Sequence, residues 1–498
     1  MTSVSPFRTL LKGSAIAFSG NGLIYALAFV FQIMLVRLLG TGGYGTWGFA
    51  FTLMLTVAQL STLGLGFASI YFASRGSSAV PSPASVSRIA IVSVLFFSGA
   101  AALFLPAAAY LWIVPAYHFE NIGPLIYILS AGVPIVAFVS IAESIFRAHH
   151  DASAAFKMKL VPEALKVMVI PAALLLFGVD TRVVAASMLL VLAAPAVYGA
   201  YMLNKLVVPL RALWPARDFP AAAIPLLAYS LPFFLHEVLM MLRDRADTFI
   251  IGYISTASYL GIYRGAYVLA AMVAFIPNAV AYLLFPLMNR IVSEQGREEL
   301  AEFGERTIKV LIYGGIPVVV TIIIFARQLM TRVLGPDFLA GERALLLLTL
   351  SSGAGLFHVF YGHVLASKNR VKLLLLANAL AFVVNLTLNI LLIPGYGITG
   401  AAAASLASSI LLTLLAARFA SAALQQFIFP VRTAGALLAA LGFVAAAYIF
   451  RDRSIFISSA LCVSFYAVWA AWLAVFERAE MTKALENLRS FVQKKRGG

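Results

Sequence analysis

Apolar runs of about 20 residues recur along this chain, separated by short polar segments, and each is long enough to cross the ~30 Å hydrocarbon core of a bilayer as a helix. Charge is correspondingly scarce. Of 498 residues, 62% are hydrophobic and 11% charged, with a mean hydropathy of +0.96. A soluble chain of this length would need a more polar surface. The pattern predicts an all-α polytopic membrane protein with about fourteen spans. They fall near 13–36, 46–70, 89–114, 124–146, 161–179, 183–203, 228–254, 260–286, 308–326, 344–366, 373–393, 398–424, 434–450 and 455–476. The stretch from Gly13 to Val36 is too long for the apolar region of a cleaved signal, so it reads as a retained first helix. The longest polar connection, Asn289 to Lys309, has the spacing of an amphipathic surface helix.

The net charge of +16 does not indicate nucleic acid, because the basic residues are scattered among short connections without a concentrated patch. Their distribution orients the chain instead. With the N-terminus cytoplasmic, 25 of the 36 Lys and Arg residues lie on the inner side and seven on the outer. Lys166, Arg243, Arg245 and Arg264 fall within spans. This asymmetry predicts cytoplasmic termini in an inner or cytoplasmic membrane. The chain has one cysteine, Cys462, so an intrachain disulfide is impossible. The basic tail at Lys494–Arg496 suits attraction to anionic lipid.

The segment HEVLMMLRDRADTFIIGY, His236 to Tyr253, gathers Arg243, Asp244, Arg245 and Asp247 between apolar flanks. Read as a loop, it would bury the polar STASYLG at mid-depth and change the parity of every later span. Read as part of span 7, it places charge in the membrane, at a cost of at least ~2.5–3.5 kcal/mol per residue without partners or water. An internal repeat favours the second reading. QIMLVRLLGTGGYGTWGFAF (32–51) resembles DTFIIGYISTASYLGIYRGAY (247–267) at an offset of 215 to 216 residues, setting Gln32 opposite Asp247. Each half opens with such a segment, as in transporters built from tandem helical repeats.

Several stretches resemble the polysaccharide-transport branch of the multidrug/oligosaccharidyl-lipid/polysaccharide exporter superfamily, the O-antigen and exopolysaccharide flippases. They are LVRLLGTGGYGTWGFAF (35–51), STLGLGFASIYFASR (61–75), DTFIIGYISTASYLGIYRGAYVLA (247–270), VLGPDFLAGERALLLLTL (333–350) and LNILLIPGYGITGAAAASLASSI (388–410). The resemblance implies two six-helix lobes, 1–220 and 221–427, around a cavity open alternately to each side, with two further helices in 428–498. It also implies a polyprenyl-(di)phosphate-linked oligosaccharide as substrate. Membrane lipids and a complex with a polysaccharide polymerase or glycosyltransferase are the further partners expected, and no cofactor is.

Candidate cavity residues follow from the charges and amides within spans. Arg243 and Asp247 are i,i+4 and able to pair. Glu237 and Asp244 are i,i+7 on one face, and Pro232 is expected to kink span 7. Arg245 and Arg264 are the cations best placed to meet phosphate, which guanidinium binds bidentately. Against this stands a self-neutralising ion cluster that only locks the lobes together. Asn378, Asn385 and Asn389 share one face of span 11, and serve interhelical hydrogen bonding or sugar contacts. Gln32 and Asn21 form a similar pair on span 1. Glu163–Lys166 and Glu143–Arg147 have pairing spacing, and the histidines have no metal-type spacing.

Two other functions compete. A cation-coupled multidrug exporter of the same superfamily is expected to carry acids in span 1, yet 13–36 contains no Asp or Glu. Lipid II flippases are expected to carry several arginines in span 1, and 13–36 holds none. A membrane polymerase or glycosyltransferase needs a large outer loop with catalytic groups, whereas 327–343 offers only Asp337 and Glu342 as acids. No G-x-x-x-x-G-K-[ST] motif is present, so ATP hydrolysis by this chain is not expected; the reading is a transporter and not an enzyme.

Overall fold

The computed structural model describes residues 6–73, 83–117, 119–148, 152–206, 219–275, 277–278, 297–368 and 370–424. Predicted spans 13 and 14, Cys462, the basic tail and the region 428–498 lie outside the described residues.

Among the described residues the structure is helical, without strands. Seven helices are long and apolar enough to cross a membrane, or nine when two bent pairs each count as one span. Two of the seven are too long for one crossing. Val371–Leu424, 54 residues, would measure about 80 Å as a straight rod. It breaks at Gly397, where φ is 56°, and the chain reverses there. The side chain of Asn385 donates to Ser408 Oγ across the resulting hairpin. Pro6–Leu60 breaks in the same way at Gly40, φ 65°. Both positions need left-handed backbone that glycine adopts without a Cβ penalty.

The helices are therefore α1 (6–39), α2 (41–60, extended after a turn by Leu65–Ala73), and α3 (Pro83–Ala108, continued to Tyr117). α4 is Ile122–Ser130 with Gly132–Ala148, bent by 44°. α5 is Ala152–Phe177, α6 Thr181–Leu206, α7 Phe219–Ile254 and α8 Ala257–Ala270. α9 is Arg297–Ile324, α10 Glu342–Ser367, α11 371–396 and α12 398–424. These correspond in order to predicted spans 1–12.

One expectation changes. The described part of the predicted surface helix, from Arg297, is continuous with span 9, because its amphipathic face runs straight into the apolar run after Lys309. α7, which contains Pro232, is one helix over its 36 residues.

The bundle is apolar on its outside as well as within. Leu103, Phe104, Trp112, Leu175 and Phe177 are at least 71% exposed, a surface suited to lipid tails and not to water. Inside, one core runs through both halves, from Leu35 and Phe49 to Tyr263 and Leu345.

The halves meet where α2 crosses α8. A Cβ on Gly45 would overlap the backbone carbonyl of Ala257, and one on Gly261 would overlap that of Thr41. Gly45 and Gly261, like Thr41 and Ala257, lie 216 positions apart. The crossing is thus the internal repeat packed against itself, and only glycine lets the two backbones approach so closely.

A second contact closes the Gly40 end of the bundle. After α9 the chain bends by 70° into Ala326–Leu334, which ends in a wide π turn, Leu329–Leu334. Arg37 donates from Nε to the Val333 carbonyl at 2.6 Å and from its terminal nitrogen to the Arg332 carbonyl. A cation on carbonyls left open at a helix end is a favourable contact. Arg37→Ala is expected to loosen this end. The melting temperature of the purified protein should fall by a few degrees, and an unchanged value would refute the clasp.

Candidate functional site

α7 carries the charge cluster inside one helix, and consecutive residues leave a helix about 100° apart. Arg243, Asp244 and Arg245 therefore face different neighbours.

Arg243 was expected to pair with Asp247 and does not. Its Nε and Nη2 donate to Asp244 Oδ1, each at 3.0 Å, and its Nη1 donates to Asn378 Oδ1 at 2.8 Å. Asp247 is buried and already satisfied: the Tyr263 hydroxyl donates to Oδ2, and the Thr248 amide donates to Oδ1 at 2.7 Å. An arginine at a more open wall loses less hydration by meeting the half-exposed Asp244 than by following Asp247 inward.

Arg245 and Arg264 both point to α2. Arg245 donates to Thr56 Oγ1 at 2.9 Å and to Gln59 Oε1 at 3.2 Å. Arg264, on α8, donates to Thr52 Oγ1 at 2.7 Å, and its Nε is buried without an acceptor. Its stem lies across Gly48, where a Cβ would overlap Nε and Cδ. Neither guanidinium forms an ion pair among the described residues. Their hydrogen bonds go to neutral oxygens, and Asp244 and Asp247 act on them only from beyond ion-pair distance, so both cations keep an attraction for an anion.

The other candidates do not all join them. Glu237 lines a separate cavity of about 100 Å³ with Thr62, Ser144 and Arg147, and its Oε2 is buried without a partner. Asp244 opens on a different cavity of about 270 Å³, so Glu237 and Asp244 do not act on one space. Gln32 accepts from the Tyr44 hydroxyl at 2.9 Å, away from both. In the other half Asp247, the residue aligned with Gln32, also accepts from a tyrosine, Tyr263, which is not the residue aligned with Tyr44. Asn378 serves Arg243. Asn385 donates across to Ser408 of α12 at 3.2 Å and accepts from Asn389, one turn on within α11, at 3.0 Å. Asn21's side chain lies outside the described residues.

Glu163 and Lys166 pair at 2.6 Å. Glu143 takes Arg147 at 3.5 Å and, from α5, Lys159 at 3.0 Å. Lys159 completes a staple that i,i+4 spacing could not reveal.

The larger cavity lies wholly within the second half. α7 supplies Arg243, Asp244 and Asp247, α8 Tyr267, α10 Ser351 and His358, α11 Asn385, and α12 Ser405, Ser408 and Ser409. Its serines escape a reading based on charge. The one available sign is AAAASLASSI (401–410), small residues that let α12 approach α10, where Ser351 lies 2.8 Å from Ser409. Thr52, Thr56 and Gln59, which receive the two arginines, also carry no local signature.

Comparison with known proteins agrees with this architecture. A family model described as polysaccharide biosynthesis protein matches residues 34–341. A probable low-salt glycan biosynthesis flippase of Haloferax volcanii is 30% identical over 175 residues, 35% of this chain and 37% of the relative. A second probable flippase of that organism is 26% identical over 253 residues, 50% of this chain and 51% of the relative. The matched stretches thus span about a third to a half of these relatives' lengths. Among solved structures, the lipid II flippase MurJ in an inward closed conformation superposes with a TM-score of 0.77 at 14% identity, covering 94% of this chain and 100% of that one. An inward-facing multidrug resistance MATE transporter gives 0.64 at 16%, covering 81% and 95%. At those identities the likeness is one of fold. With the matched model spanning more than half its length, the chain belongs to the polysaccharide biosynthesis protein family.

Proposed function

We propose that this protein is a flippase that carries a polyprenyl-(di)phosphate-linked oligosaccharide across the cytoplasmic membrane for surface polysaccharide synthesis. One observation carries the reading. Arg245 and Arg264 reach from the second half to neutral oxygens of α2 at the interface of the halves, with no carboxylate within ion-pair distance of either among the described residues. That arrangement suits the phosphates of a lipid carrier, whose negative charge takes the place of a counter-ion. The names of the Haloferax relatives support the same direction.

In this reading, 1–220 and 221–427 are lobes that rock about the α2–α8 crossing, with both termini cytoplasmic. The clasp of Arg37 on the Arg332 and Val333 carbonyls would seal the outer end while the carrier loads from within. A cation-coupled multidrug exporter has less support, since no carboxylate stands in 13–36. A polymerase or glycosyltransferase would act beside this chain as a partner.

A deletion strain supplies the test. Loss of the protein should leave carrier-linked oligosaccharide on the inner leaflet, inaccessible to an added external glycosidase, while surface polysaccharide disappears. Polysaccharide of wild-type amount, or carrier-linked oligosaccharide accumulating on the outer leaflet, would reject the flippase.

A further inference from the structure

The charges of α7 divide between two spaces. Arg245 turns to α2, while Asp244 and Asp247 line the 270 Å³ cavity bounded by α7, α8, α10, α11 and α12. The cavity's own cation, Arg243, is taken by Asp244 and Asn378. Its wall therefore offers no free guanidinium, and phosphate is the wrong ligand for it.

What the wall does offer is hydroxyl chemistry. A carboxylate has about four acceptor positions. Asp247 uses three, on Tyr263 and on the amide and hydroxyl of Thr248, and Asp244 Oδ2 accepts nothing among the described residues. Ser352 lines the cavity with a hydroxyl that makes no hydrogen bond among the described residues. Ser408 and Ser409 stand nearby with lone pairs to spare, and the Tyr267 ring borders the same space. Acceptors for vicinal hydroxyls, rotatable hydroxyls and an aromatic face are the groups that recognise a polyol. The volume, about 270 Å³, points the same way, being many times the space one water needs. A bare cation is held by a tight oxygen shell far smaller than that.

We propose that this cavity receives one sugar ring of the translocated glycan, while Arg245 and Arg264 hold the phosphate on the other side of α7. The proposal rests on the flippase reading and divides its substrate between two walls of a single helix.

The test uses the purified full chain in lipid nanodiscs, with Ser352→Cys introduced on a Cys462→Ser background. Alkylation of the new thiol is timed with glucose, galactose, N-acetylglucosamine, pyrophosphate or sodium chloride present. A bound sugar slows labelling by 1 + [L]/Kd, about threefold when its concentration is twice Kd. At least one sugar should do so, and pyrophosphate and sodium should not. Asp247→Asn should abolish the protection, and so should Asp244→Asn, which alters a half-exposed group and spares the buried Tyr263 contact. No protection by any of the three sugars, protection by sodium alone, or sugar protection that survives both variants would overturn the proposal. Separately, pyrophosphate should raise the melting temperature of the parent protein and not of Arg245→Ala. If that stabilisation holds without sugar protection, only the sugar cavity is refuted. If it too is missing, the phosphate reading falls with it.

Discussion

Arg245→Ala and Arg264→Ala should each cut surface polysaccharide roughly ten- to hundredfold at unchanged membrane abundance. The range follows from the ~1.5–3 kcal/mol of a hydrogen bond to a charged group, with about 1.4 kcal/mol per factor of ten. The structural cost is small by comparison, since each guanidinium rests on neutral groups that can find other partners: Thr56 and Gln59 for Arg245, Thr52 for Arg264. Arg245→Lys should fall between alanine and wild type, because lysine keeps the charge and loses the planar fork. Wild-type polysaccharide in both alanine variants, measured at equal abundance, would remove the phosphate role. A loss of polysaccharide that merely tracked a lower melting temperature would reduce the arginines to a fastening between the halves.

The second large effect concerns the α2–α8 crossing. Gly261→Ala puts a methyl group into the Thr41 carbonyl, and Gly45→Ala puts one into that of Ala257. Both obstacles are backbone, so no rotamer change relieves them, and overpacking of this kind costs about 1–3 kcal/mol or more. Either variant should lower thermal stability in detergent by several degrees and reduce transport, because the halves can no longer meet as closely. Gly99→Ala in α3 is the control. Nothing lies within 4 Å of its added methyl group, so exchanging a helical glycine there should be neutral or stabilising by up to ~1 kcal/mol. A Gly261→Ala protein that melts and transports like wild type would show that the crossing tolerates separation.

The legible part of this protein was local. Hydropathy located twelve helices in order, because a run of apolar residues in lipid has no alternative that satisfies its backbone. The repeat was legible as two similar segments, and the structure adds that they cross, with residues 216 positions apart in contact. The charge cluster at 243–247 was rightly placed within a helix, since a loop there would have stranded STASYLG at mid-depth.

Pairings were less legible. Spacing favoured Arg243 with Asp247, yet Tyr263, sixteen residues away on another helix, claimed Asp247 first. Likewise Glu237 and Asp244 share a spacing but open on different cavities. Helix periodicity states which residues share a side. What lies on that side depends on how the helix is rotated against its neighbours.

The sequence alone determined the helical membrane class and the placement of the charge cluster within a helix, both of which follow from composition and near-neighbour spacing. Only the tertiary structure decided that three consecutive residues, Arg243, Asp244 and Arg245, serve two spaces. Their directions diverge by about 100° per residue. Which direction meets the hydroxyls of α2 and which meets the serine wall of α12 is set by packing across almost two hundred residues of intervening chain.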